Sequence, residues 1–245
     1  MTSFWAKASL LGILACPPAA ALDIPQDGYR ESLSAEDKRI YDKLEDLGAF
    51  KSDGPTLHAS LRKRRGKFYL EGFAAAEADF EDARPVLKDF KGYAKWVLDR
   101  INRRRRGGRP GYLFSLHGLG YDEAKRRLDL QIELDKWIKG RYILRLKVRD
   151  GLSEPALPEL SLELWRPTRL VSGLRGDFKF FAPPGEKRFV CHFLGEARLH
   201  WLPTHMVPMR FFRIDVEERI QTILENGQRR LGAGPGPKAG HSAGR

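Results

Sequence analysis

Two stretches near the middle of the chain alternate apolar and polar residues almost without interruption. In Arg127–Asp135, Leu128, Leu130, Ile132 and Leu134 fall on one side, and Asp129, Gln131, Glu133 and Asp135 on the other. In Arg141–Arg149, Tyr142, Leu144, Leu146 and Val148 oppose Arg145, Lys147 and Arg149. A period of two predicts antiparallel strands with one wet face. The acidic outer row of the first strand suits the basic outer row of the second. Their pairing as neighbours should contribute roughly 0.2–1 kcal/mol per cross-strand pair.

Weaker signals extend this meander in both directions. Phe68–Phe73 reads as a strand, and Asp79–Phe90 as a helix with Asp79 as its cap. Tyr93–Ile101 reads as a second short helix carrying Trp96, and Tyr112–Tyr121 as a strand weakened by Gly118 and Gly120. Leu160–Trp165 and Leu170–Phe181 follow, with Gly173 and Gly176 as bulge or bend positions. After the Pro183-Pro184-Gly185 turn, Arg188–Trp201 places Phe189, Cys191, Phe193, Ala197, Leu199 and Trp201 on one face. Pro203 stops that strand. A helix over Met206–Leu231 then carries Met209, Phe212, Val216, Ile220, Ile223 and Leu224 as an apolar stripe.

The flanks differ in composition. The first 21 residues have one lysine, an apolar run Leu10–Ala15, and the small residues Ala19-Ala20-Ala21. That pattern predicts a signal peptide cut before Leu22, and hence a periplasmic or secreted protein. Ile13-Leu14-Ala15-Cys16 also resembles a bacterial lipobox, so anchoring at Cys16 is the rival processing. Residues 22–60 form an acidic extension, with eight acids against four bases between Leu22 and Phe50. Within it Ser34 should cap a helix presenting Ile40, Leu44 and Leu47, which Gly48 ends. Residues 61–231 make the main domain, and the Gly/Pro-rich end 232–245 should be a disordered tail.

Charge narrows the partners. The chain carries a net charge of +12, with clusters at Arg62–Lys67 and Arg103–Arg106. Two readings of Arg103, Arg104, Arg105 and Arg106 stand: a solvated loop, or contact with an anionic membrane surface. Nucleic acid is disfavoured, because no aromatics interleave with the arginines as stacking platforms.

The order strand, two short helices, strand meander, long C-terminal helix carries a resemblance. Phe80–Phe90, with Tyr93 and Trp96 after it, is similar to the entry-helix segment of the START-related lipid- and polyketide-binding (SRPBCC) superfamily. Gly173–Phe178 resembles that superfamily's late Gly-x-Phe strand, and Leu202-Pro203 its opening of the final helix. The resemblance covers Gly66–Leu231 and implies an α+β helix-grip fold. Such a fold would be a curved antiparallel sheet of about six or seven strands around the C-terminal helix. It also implies a cavity between them. Phe178, Phe180 and Phe193 would line that cavity from the sheet, Met209 and Phe212 from the helix, with Trp96 beside them.

No motif names a reaction. Neither an HExxH set, a His/Cys zinc spacing, a nucleophile elbow nor a phosphate loop occurs, so no cofactor or metal is expected. His192 and His200 share the outward parity of the last strand, whereas His117 is the one strand histidine that could face a cavity. Cys191 reads as a small buried apolar residue. The leading expectation is an exported binding protein for a hydrophobic small molecule or lipid. A cyclase/aromatase-like enzyme using polar cavity groups and a structural envelope protein with a solid core are the rivals.

Overall fold

The computed structural model describes residues 26–54, 56–102, 114–134, 140–200 and 209–232. The expected signal segment with Cys16, the cluster Arg103–Arg106 and residues 233–245 of the tail lie outside the described residues. So do the side chains of Met209 and Phe212.

The elements are α1 (Gln26–Ser32), α2 (Ala35–Asp46), β1 (Leu57–Arg64), β2 (Lys67–Ala76), α3 (Phe80–Leu87) and α4 (Tyr93–Trp96). There follow β3 (Ser115–Asp122), β4 (Arg127–Leu134), β5 (Gly140–Gly151), β6 (Glu159–Leu164), β7 (Val171–Phe181), β8 (Phe189–Leu199) and α5 (Met209–Gly232). All the strands join one antiparallel sheet in the order β1-β2-β8-β7-β6-β5-β4-β3. Helix α5 lies against β1, β2, α3 and α4, completing the helix-grip arrangement. The predicted pairing holds: Asp129 stands opposite Arg145 and Glu133 opposite Arg141.

Among the described residues there are eight strands rather than six or seven, because β1 is a strand that the alternation did not reveal. Its inward residues are half-buried Leu57, Ala59 and Leu61 and exposed Lys63, a sparse apolar row that an edge position tolerates. The basic cluster is therefore the tip of a hairpin. Arg65 and Gly66 both have positive φ (49° and 76°), the conformation of a two-residue type I′ turn. Strand β1 also runs across the boundary placed at residue 60.

The sheet buries both faces, but unequally. On the concave face Phe80 meets Phe180 and Phe189 at ring separations of 5.5 and 5.3 Å, and Phe90 meets Tyr93 and Tyr121. On the convex face α1 and α2 cover Phe73, Ala75, Phe181 and Val190 with Tyr29, Leu33 and Leu44. Ser34 caps α2 by accepting from Asp37 N at 3.2 Å, as its sequence predicts.

Arg188 fastens this cover to the sheet. Its Nε donates to the Ala49 carbonyl at 2.9 Å, and its terminal nitrogens reach the Ser52 and Gly54 carbonyls and the Glu77 carboxylate.

Helix α4 stops at Trp96 instead of reaching Ile101. Buried Asn226 of α5 donates to the carbonyls of Val97 (2.9 Å) and Asp99 (2.8 Å). Arg219 donates to the carbonyls of Ile101 and Phe114, while Asn102 exchanges hydrogen bonds with the backbone of Leu116. These tertiary bonds satisfy carbonyls at the end of α4 and at the start of β3 that have no partner within a helix.

Candidate ligand-binding recess

The sheet has two distinct ends. At the first lie the β3–β4, β5–β6 and β7–β8 connections and helix α3. At the second lie the β1–β2 hairpin, the β6–β7 turn and the end of β8. Concave-face burial falls from the first end toward the second along four neighbouring strands. Leu128 is buried, but Leu130, Ile132 and Leu134 are half-buried. Leu144, Leu146 and Val148 give way to half-buried Tyr142, and Leu160 to half-buried Leu162 and Leu164. On β7 buried Phe180 precedes half-buried Phe178 and Leu174 in the same direction. Phe68, Leu170 and Val171 are buried at the second end, so that end is partly walled.

Glycines deepen the hollow. Gly176 and Gly195 stand opposite one another at the centre of the concave face, between Leu162 and Leu70. A Cβ added at Gly176 would meet only the far edge of the Phe178 ring, at 3.3 Å. The backbone is bare there, and space lies above it.

Cys191 stands directly opposite Phe180 and packs against the concave core, at the packed end of this face. Burial pushes its thiol pKa up to about 12. Burial likewise raises the Tyr93 phenol, which donates to the Leu87 carbonyl.

The α5 helix inverts the usual pattern. Its polar residues Asp215, Arg219, Thr222 and Asn226 are buried, whereas Val216, Ile220, Ile223 and Leu224 are half-buried and join neither core cluster. Only Leu231 packs against the concave core among the described side chains.

Of the residues expected to line the cavity, Phe180 belongs to the packed end of the concave face and Phe178 to its half-buried middle. Phe193 is buried with its ring over Gly72, its cross-strand partner. Trp96 packs edge-on against Tyr93 at 5.2 Å, and its Nε1 is buried without a hydrogen-bond partner. Sequence reasoning passed over Leu130, Ile132, Tyr142, Leu162 and Leu174, although their parity was already legible. What parity lacks is the position along the strand at which packing gives out.

The histidines need two corrections. His117 faces outward on the convex side, half-exposed and 3.8 Å from Glu133, not toward a cavity. His192 does point outward, but α2 covers it and leaves it 6% exposed. Its charged surroundings are Glu71 on β2, Lys43 and Asp37 on α2, and Lys179 on β7. Burial holds the imidazole below its ordinary value of 6.5, and Glu71 opposes the shift. The unfolded chain therefore takes up this proton at higher pH than the folded one. The stability so contributed is complete above about pH 6.5 and is lost as pH falls through that value, by at most about 1.4 kcal/mol per pH unit. His192→Gln should flatten the urea midpoint against pH between about pH 6.5 and pH 5. A wild-type midpoint that is already level across this window contradicts the assignment.

Among the described residues no group of three or more His, Cys, Asp or Glu could hold a metal ion. No described helix is long and apolar enough to cross a membrane.

No family model and no curated protein matches the chain. Solved structures do. A START superfamily protein from Mycobacterium smegmatis aligns at a TM-score of 0.42 and 12% identity, over 67% of this chain and 97% of that one. The Zhui aromatase/cyclase from Streptomyces sp. R1128 aligns at 0.43 and 12%, over 68% and 94%. A STAR-related lipid transfer protein from Xanthomonas axonopodis aligns at 0.39 and 11%, over 73% and 99%.

Proposed function

We propose that the chain binds a hydrophobic small molecule or lipid in the concave recess between the sheet and α5. The observation that carries this reading is the loss of concave-face burial along β4 to β7. A solid core would bury Leu130, Ile132, Leu162, Leu164 and Leu174 as fully as it buries Leu128, Leu146 and Leu160. Leaving such side chains half-wet forgoes roughly 25 cal/mol for each Å² of apolar surface kept exposed. An apolar ligand that fills the space recovers that free energy, and central strands offer a pre-formed site for it. The catalytic alternative needs reactive groups inside the recess. The described concave face offers the Tyr142 hydroxyl in the recess and, nearer the packed end, the Cys191 thiol, whose raised pKa leaves it protonated at neutral pH and so weakly nucleophilic.

Gly176→Leu tests the reading. The new side chain enters the recess beside Phe178 without meeting backbone, so folding stability should change by less than about 1 kcal/mol. Uptake of a fluorescent fatty acid by the same variant should fall about tenfold or more relative to wild type. Phe193→Trp provides the contrast, because Phe193 already presses on Gly72 and extra volume there should cost about 1–3 kcal/mol. Wild-type protein that takes up no apolar probe, together with a Gly176→Leu variant as destabilised as Phe193→Trp, would establish a solid core instead.

A further inference from the structure

The two ends of the sheet differ in charge as well as in packing. At the α3 end, acids such as Glu77, Asp79, Glu123 and Asp150 mix with Lys125, Arg126 and Lys187. At the second end the exposed charges among the described residues are mostly positive. Arg62, Arg64 and Arg65 come from the hairpin, Arg166 and Arg169 from the β6–β7 turn, and Arg198 from the end of β8. None of these six forms an ion pair among the described residues, while the acids nearby are committed. Glu196 is held by Lys67 at 2.5 Å, Glu133 by Arg141 at 2.9 Å and Glu163 by Arg149 at 3.3 Å.

Arg64 stands directly opposite Lys67, and Lys67 directly opposite Arg198, so three cations form one row across β1, β2 and β8. Glu196 pairs with Lys67 in the middle of that row, which leaves Arg64 and Arg198 at its two ends without an ion pair among the described residues. Two exposed aromatics border the row: Tyr69 on β2 (36% exposed) and Trp165 (41%), which immediately precedes Arg166. Amphipathic rings of this kind settle at the level of lipid headgroups.

From this charge pattern we infer that this end of the sheet docks on an anionic phospholipid bilayer. The cations fan out over a hairpin, a turn and a strand end instead of converging. That layout suits a broad charged plane better than one small anion. The docking does not rest on the binding reading above, and it is measured without any ligand.

The test uses the full chain and vesicles of phosphatidylcholine, with and without phosphatidylglycerol, in co-sedimentation. Wild-type protein should bind the mixed vesicles and leave the neutral ones. The combined variant Arg64→Gln, Arg65→Gln, Arg166→Gln, Arg169→Gln should lose on the order of a hundredfold in affinity at low salt, and less at physiological salt, where screening already weakens binding. A control variant removes equal charge from the α3 end: Lys91→Gln, Lys125→Gln, Arg126→Gln, Lys187→Gln. It should stay within about threefold of wild type. Equal weakening of both variants would reduce the effect to net charge and overturn the inference. So would indifference of the wild type to phosphatidylglycerol, or binding of RNA at protein concentrations that leave vesicles unbound. Fatty acid uptake by the soluble variants separates this result from the recess reading, because loss of docking should leave uptake unchanged.

Discussion

Arg188→Met is expected to destabilise the protein by about 3 kcal/mol and to lower its thermal midpoint by roughly 6–12 °C. Arg188 is 4% exposed and binds the carbonyls of Ala49, Ser52 and Gly54 besides the Glu77 carboxylate. Glu77 is half-exposed, so the ion pair itself contributes little after solvent screening. The loss sits mainly in the carbonyls. Each acceptor left buried without a donor costs about 1–3 kcal/mol, and a thioether cannot replace a guanidinium fork. Those carbonyls belong to the segment joining α2 to β1, so the α1–α2 cover should loosen before the sheet does. Hydrogen exchange should therefore accelerate first at α2 and only later at β7 and β8. Arg188→Lys should fall between the two, since it keeps the charge and not the geometry. A midpoint within 2 °C of wild type, about 1 kcal/mol or less, would mean that water satisfies the carbonyls and that Arg188 is no fastener.

Gly118→Val is expected to cost a further large amount, near the upper end of the 1–3 kcal/mol range for overpacking. A Cβ at residue 118 would lie 2.5 Å from Ala94 Cβ and 2.6 Å from Ala94 Cα. Helix α4 rests directly on the bare strand, at the place where β3 shifts register between Gly118 and Gly120. The helix cannot simply lift away, because Asn226 holds the carbonyls of Val97 and Asp99. Adding Ala94→Gly should recover only part of the loss, since the clash with the Ala94 backbone persists. Full recovery in the double variant, by denaturant midpoint, would show that the contact is side chain alone.

The alternation of β4 and β5 was legible because both strands present one wet face and one dry one, and the residues obey that division at every step but Ile143, which lies on the wet face. Asp79 and Ser34 could be read as caps because their function is local, within one turn of the chain. Strand β1 escaped because its inward row, Leu57, Ala59, Leu61 and Lys63, weakens toward the hairpin and its outer row, His58, Ser60, Arg62 and Arg64, turns basic there. An edge strand needs few apolar contacts, so it leaves a faint pattern. The short α4 was hidden for a different reason. Its stop signal is Asn226, more than a hundred residues away in sequence and invisible to any local rule. His192 was assigned the correct side of the sheet and the wrong exposure, since parity reports direction and α2 decides what lies there. For the recess, the lining was legible and the packing was not. Leu128 and Leu130 are the same residue type on the same face, and only the placement of α3 makes one core and the other wall.

The position of β8 between β2 and β7 has a consequence for how the chain acquires its structure. Strand β2 can form a hairpin with β1 as soon as both exist, but its other edge pairs only with β8, matching Lys67 to Arg198 and Ala76 to Phe189. That junction closes a loop containing β3 to β7, so its entropy must be met before any of its contacts form. The N-terminal cover rests on Phe73, Phe181 and Val190, side chains drawn from both sides of the junction. During synthesis the first half of the protein therefore has no completed surface to settle on, and the meander β3 to β7 can organise while the hairpin still waits. Non-local closure of this kind slows folding and prolongs the exposure of unpaired strand edges. The native state is reached only by a nearly finished chain, with the last strand made stitching the first two to the rest.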